Sequence, residues 1–169
     1  MPTDAGPAVL VGAVAQLYQG DLDFGRVAIE RLAPGELGER VLVEDLSYGA
    51  VAVAQRLEEL RPAVLVLVGA VSRGRPPGTL GSRLIEHPVQ DAEDVRQAVA
   101  EAVTGYVGID LVVEVGAGLR ALPPRTVAVE LEPVATAVSE HLSPEAEHAI
   151  EPALELVRAE VAYSSTPRL

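Results

Sequence analysis

Ala63-Val64-Leu65-Val66-Leu67-Val68-Gly69-Ala70-Val71 is a nine-residue apolar run held between Pro62 and Ser72. It is too short to cross a bilayer as a helix, which takes about 20 apolar residues. Its mixture of Val and Leu without polar interruption suits a strand covered on both faces. Burial on both faces is the mark of a central parallel strand, because the crossovers joining parallel strands lay helices on each side of the sheet.

Working outward, the chain alternates strand-like and helix-like segments. Ala8 to Val14 reads as a short buried strand, and Val27-Ala28-Ile29 with Leu32 fall at helical spacing after a loop. Val41-Leu42-Val43 reads as a second strand. Ser47 is placed to cap a helix through Ala50, Val53, Ala54, Leu57 and Leu60 that ends at Arg61-Pro62. Asp91 and Asp94 have the spacing of a reciprocal cap, followed by an apolar stripe of Val95, Ala98, Val99 and Ala102 that stops near Gly105. Ile109 to Leu122 is ambiguous: Leu111-Val112-Val113 suits a strand by propensity. Thr126 to Leu131 is a strand. Ser143-Pro144-Glu145 starts a helix with Ser at the cap, Pro in the first turn and an acid beside it, running to about Tyr163. The expected fold class is α/β, a three-layer domain over residues 1–169 with a mostly parallel sheet and helices on both faces. Sites in such folds form at the carboxyl ends of the strands.

Composition removes several classes of function. The chain has no Cys, so thiolate metal sites, disulfides and cysteine nucleophiles are absent together. A net charge of −12, with every one of the 13 cations an Arg, repels phosphate backbones and offers no basic patch, so no nucleic-acid partner is expected. No membrane segment is visible, and Met1-Pro2-Thr3-Asp4 lacks a basic leader region, which makes a cytoplasmic location the expectation. Gly116-Ala117-Gly118 lacks the strand-turn-helix context of a dinucleotide fingerprint, and neither a P-loop nor a nucleophile elbow occurs.

Two motifs carry a family resemblance. Gly20-Asp21-Leu22-Asp23-Phe24-Gly25 leading into Arg26 to Leu32 resembles the first loop and helix of the hydrogenase maturation proteases. The central run followed by Pro76-Pro77-Gly78-Thr79-Leu80 is similar to that family's strand ending in Asp-Ala and its Pro-Gly-Thr turn. Leu142 to Glu145 and Glu151 to Val157 resemble its C-terminal helix more weakly. The resemblance implies a phosphorylase/hydrolase-like fold and a helix over Ile109 to Leu122. It also implies an endopeptidase that removes the C-terminal extension of a [NiFe] hydrogenase large subunit, recognising the inserted nickel through two carboxylates and a His. The three matching positions here are Leu22, Gly69, and Gly105 or Tyr106. Leu and Gly offer no lone pair to a divalent metal, and a phenol with a pKa near 10 is a poor donor.

Other groups remain as candidates. Asp21, Asp23 and Asp45 are the carboxylates nearest those positions and the basis for a displaced site; as structural groups, Asp21 would cap a turn and Asp23 the helix beginning near Gly25. His87, His141 and His148 share no ligand spacing and read as surface side chains. Arg73 and Arg75, in the loop-forming run Ser72 to Gly78, are either solvated or placed to grip a carboxylate or a peptide C-terminus. The leading expectation is a catalytically degenerate relative that binds a hydrogenase large subunit or its C-terminal peptide. It has no metal or cofactor of its own, and the only metal the resemblance brings is the partner's nickel. The alternatives are an active endopeptidase with a relocated site and a small-molecule-binding α/β module.

Overall fold

The computed structural model describes residues 6–105 and 107–166. Five strands form one sheet: β1 (Val9–Ala13), β2 (Val41–Asp45), β3 (Val64–Ala70), β4 (Leu80–Leu84) and β5 (Arg125–Leu131), in the order β2-β1-β3-β5-β4. β1, β2, β3 and β5 run parallel, and β4 is antiparallel to β5 at the edge. The helices are α1 (Phe24–Glu30), α2 (Ala50–Leu60), α3 (Ala92–Val103), α4 (Ile109–Gly118) and α5 (Pro144–Ser165), with a 3-10 turn at Gly20–Asp23.

The central run sorts its side chains by parity. Val64, Val66 and Val68 join Val9 and Val11 under α1 and α5, with Phe24, Ala28, Ile150, Leu154 and Val157. Leu65 and Leu67 join Leu10 and Ala128 under α2, α3 and α4, with Val53, Leu57, Ala98, Ile109 and Val112. Leu65 and Leu67 are both fully buried, and each such side chain contributes about 1.5–3 kcal/mol relative to an exposed one. The two apolar clusters make the three-layer arrangement that the nine-residue run implied.

The structure adds β4, which the sequence does not announce. Leu80-Gly81-Ser82-Arg83-Leu84 has no two-residue apolar period, and its residues are half-buried or exposed. It is an edge strand, so it has neither the two covered faces nor the single clean face that periodicity detects. Ile109–Gly118 is a helix, as the resemblance implied, despite its β-branched residues; six of its ten residues are buried under the sheet, and tertiary burial overrides strand propensity here. Two caps differ from expectation. Ser47 does not cap α2, whose N-cap is Gly49; its hydroxyl accepts from the Ala15 N–H at 2.9 Å instead. Asp23 holds the N-cap position of α1 without a capping bond, because its carboxylate is paired with Arg26. The Asp91/Asp94 capping box and the Ser143 cap form as read. No helix among the described residues is long and apolar enough to cross a membrane.

Candidate functional site

The carboxyl ends of β1 and β3, the 3-10 turn at Leu22 and the start of α4 enclose a cleft of about 270 Å³. Val14, Leu22, Ala70, Val71, Val107 and Ile109 give it apolar walls, and Gln16, Ser72 and Asp110 supply its polar atoms. The segments carrying the three resemblance positions do converge on it. Leu22 lines the cleft directly, residues 70–72 follow Gly69 into it, and residues 107–110 enter it two positions after Gly105.

Gly69 is closed to a side chain. A Cβ there would lie 2.7 Å from the Val14 carbonyl oxygen and 3.1 Å from Ile109 Cδ1. The Val14 carbonyl belongs to backbone anchored beside β3, since the Val14 N–H donates to the Val68 carbonyl at 2.9 Å. Gly105 follows the last turn of α3 with φ of 85°, the left-handed conformation in which glycine terminates helices, and its Cβ direction is open space. Tyr106 lies outside the described residues. A carboxylate introduced by Gly69→Asp is expected to cost about 2–3 kcal/mol of stability in urea unfolding through overpacking and buried charge. A variant as stable as the parent that also binds Ni²⁺ would show instead that a metal site lies one substitution away.

The candidate aspartates have separate partners. Asp21 is fully buried and accepts four hydrogen bonds: from the Val134 N–H at 2.9 Å, the Ala135 N–H at 3.0 Å, and the Ser143 N–H and hydroxyl at 2.8 Å each. Burial pushes its pKa up, but the donors from Ser143, Ala135 and Val134 outweigh this and hold it below the ordinary value. Asp23 forms a two-pronged pair with Arg26, which also reaches Glu30 at 2.8 Å. Asp45 is exposed and accepts the Ser47 N–H at 3.0 Å in a local turn. The three candidate aspartates therefore serve three different tasks. His87 is exposed, with its Nε2 3.1 Å from the Pro123 carbonyl, and His141 and His148 are exposed as well. Among the described residues, no group of three or more His, Asp or Glu is placed to hold a metal ion.

A feature the sequence reading missed stands beside Gly69. Glu130, on β5, is in register with Gly69 of β3, so its carboxylate rises on the same sheet face one strand away. Its side chain is 1% exposed and is surrounded by guanidiniums. Arg73 reaches it through Nε at 2.8 Å and Nη2 at 2.7 Å, Arg83 through Nε at 3.1 Å, and Arg75 at 3.8 Å. Glu132, two residues on, accepts the N–H groups of Arg73 and Gly74 and the Arg75 Nε. Asp110, at the start of α4, completes the cluster against Arg73 and Arg83. Burial pushes the Glu130 carboxyl up, and hydrogen bonds from Arg73 and Arg83 bring it below its usual range. Arg73 is held more firmly charged by the same contacts. Three cations thus face three anions. Glu130 within the apolar end of β5, with Glu132 just beyond it, was the signal available in the sequence, but the Glu130 partner Arg83 sits on the strand that lacked one.

The donors around the cleft do not suit a divalent metal. Among the described lining residues the one carboxylate is Asp110, which Arg73 and Arg83 engage, and no His faces the cleft.

No family model matches this sequence, and no curated protein is significantly similar to it. Solved structures do match over nearly the whole chain. A hydrogenase 2 maturation peptidase from a Thaumarchaeota archaeon is 23% identical with a TM-score of 0.64, covering 90% of this chain and 97% of its own. The hydrogenase maturating endopeptidase HybD from E. coli is 22% identical with a TM-score of 0.66 and 93% coverage of both chains. The [NiFe] hydrogenase maturation protease HycI from Thermococcus kodakarensis is 16% identical with a TM-score of 0.67, covering 94% of this chain and 95% of its own. The architecture that the Gly-Asp and Pro-Gly-Thr motifs implied is therefore the one the chain adopts, and this protein has the fold of the hydrogenase maturation proteases.

Proposed function

We propose that this protein is a binding or assembly factor for a hydrogenase large subunit, using the maturation-protease fold without metal-dependent cleavage. The observation that carries the reading is Gly69. Its side-chain space is occupied by the Val14 carbonyl and Ile109, so the strand position next to the cleft is packed shut rather than merely missing a carboxylate. Leu22 in the cleft wall and the helix-terminating Gly105 agree with it. What remains is a small recess of mixed polar and aliphatic lining at the strand ends, able to take the last side chains of an extended peptide. The partner's nickel, if present, would meet hydrocarbon at Leu22.

The test incubates purified protein with a nickel-loaded large-subunit precursor that retains its C-terminal extension, reading association by light scattering and cleavage by intact mass. Saturable association with an unchanged precursor mass is expected. Metal-dependent loss of the extension would overturn the proposal, and the relocated-site endopeptidase would replace it. Absence of any association would overturn it as well, in favour of a small-molecule module.

A further inference from the structure

Beside the cleft, Arg73 presents two forks that do different things. Its inner edge is committed to the buried Glu130. Its outer edge, Nη1 and Nη2, donates to Asp110 at 3.3 and 2.8 Å, and Arg83 Nη2 adds a third donor to the same carboxylate at 3.4 Å. Asp110 is 54% exposed and borders the cleft. The guanidiniums are therefore preorganised from below by a carboxylate that solvent does not reach, and they display a converging set of N–H groups toward solvent, filled by a carboxylate of the chain itself.

We infer that the outer face of the Arg73–Arg83 pair is a receptor for the terminal carboxylate of a peptide, with Asp110 as its internal placeholder. Three observations support this. A planar guanidinium fork matches a carboxylate in geometry and charge. The Asp110 contact lies at the surface, where an ion pair adds little net stability and is readily exchanged for an equivalent one. The recess reaches the fork through Ser72 and Asp110 and carries an aliphatic side, so a peptide ending in an aliphatic residue places its side chain against Leu22, Val71, Val107 and Ile109 while its carboxylate replaces that of Asp110. A recess of about 270 Å³ is small and takes the last one or two side chains rather than a long segment. With the chain at −12 overall, the remainder of such a peptide would be neutral or basic. The inference rests on the tail-binding reading for the biological ligand only; the receptor itself is tested separately.

The probe is an acetylated tetrapeptide, Ala-Ala-Ala-Leu, as free acid and as C-terminal amide, titrated into the full chain and followed by amide NMR shifts. The free acid is expected to shift residues 72–75 and 107–111 saturably, and the amide is not. If Asp110 fills the fork in two-thirds or more of molecules, Asp110→Ala strengthens free-acid binding by roughly threefold or more. Removing an equal charge at exposed Glu140 with Glu140→Gln should leave affinity within about twofold, which separates displacement from general repulsion. An amidated peptide carrying an internal Asp distinguishes a side-chain carboxylate from a terminal one. The inference is overturned by equal binding of acid and amide, by preference for the internal Asp, or by an Asp110→Ala variant that binds no better than Glu140→Gln. Any of these with large-subunit association intact removes only this inference; loss of association with the peptide results intact removes only the proposed function.

Discussion

Glu130→Ala is expected to lower the unfolding free energy by about 3–5 kcal/mol, the range for breaking a buried ion pair by removing one partner. The size follows from what is left behind. Glu130 is the shared acceptor of Arg73 and Arg83 and lies within 3.8 Å of Arg75, so its loss leaves partly buried guanidiniums without their common counter-charge. Desolvation of the carboxylate offsets much of its attraction to the arginines, so the cluster's net contribution is far smaller than the cost of breaking it. The double variant Glu130→Ala/Arg73→Ala should therefore lose clearly less than the sum of the two single variants in a denaturant cycle. Additive losses, or a Glu130→Ala variant within about 1 kcal/mol of the parent, would mean that the guanidiniums simply turn to solvent.

Asp21→Ala ranks second, at about 3–4 kcal/mol, because one buried carboxylate satisfies three backbone N–H groups and a hydroxyl. These donors belong to the segment between β5 and α5, and Ser143 also caps α5 by accepting the Ala146 N–H. The loss should appear as reduced hydrogen-exchange protection in residues 133–146 as well as in global stability. Asp21→Asn, which keeps an acceptor oxygen but turns an amide N–H toward backbone N–H groups, should lie between. Preserved exchange protection in Asp21→Ala would remove Asp21 from this structural role. The same carboxylate predicts an acid limb. Its pKa in the folded chain is depressed below the ordinary 3.8, so its contribution is complete above that value and disappears as pH falls through the folded pKa. Glu130 acts in the same direction from its ordinary 4.5. Thermal melting should therefore be nearly constant from pH 7 down to about 5 and drop steeply below about 4, with a shallower drop in Asp21→Asn.

Sequence by itself determined the layers of this protein. Nine apolar residues between Pro62 and Ser72 can be solvated on neither face, so helices had to cover both, and the capped helical stripes supplied them. It also named the positions, Leu22, Gly69, and Gly105 or Tyr106, at which the resemblance places metal donors. What those positions mean required coordinates. A missing side chain at residue 69 is indistinguishable in sequence from an open pocket, and only the 2.7 Å approach of the Val14 carbonyl, just past β1, shows the space filled. Likewise Asp21, Asp23 and Asp45 read as a possible carboxylate cluster because the first two flank Leu22 and the third follows a strand. The turn, the helix and the strand end point them at different partners. The Arg73–Glu130–Arg83–Asp110 cluster joins a loop, two strands and a helix, with contacts up to 57 residues apart. Local periodicity reports which face a residue occupies, whereas which charges meet on that face is set by strand order and register. Here those place Glu130 level with Gly69 and bring the edge strand's Arg83 onto it.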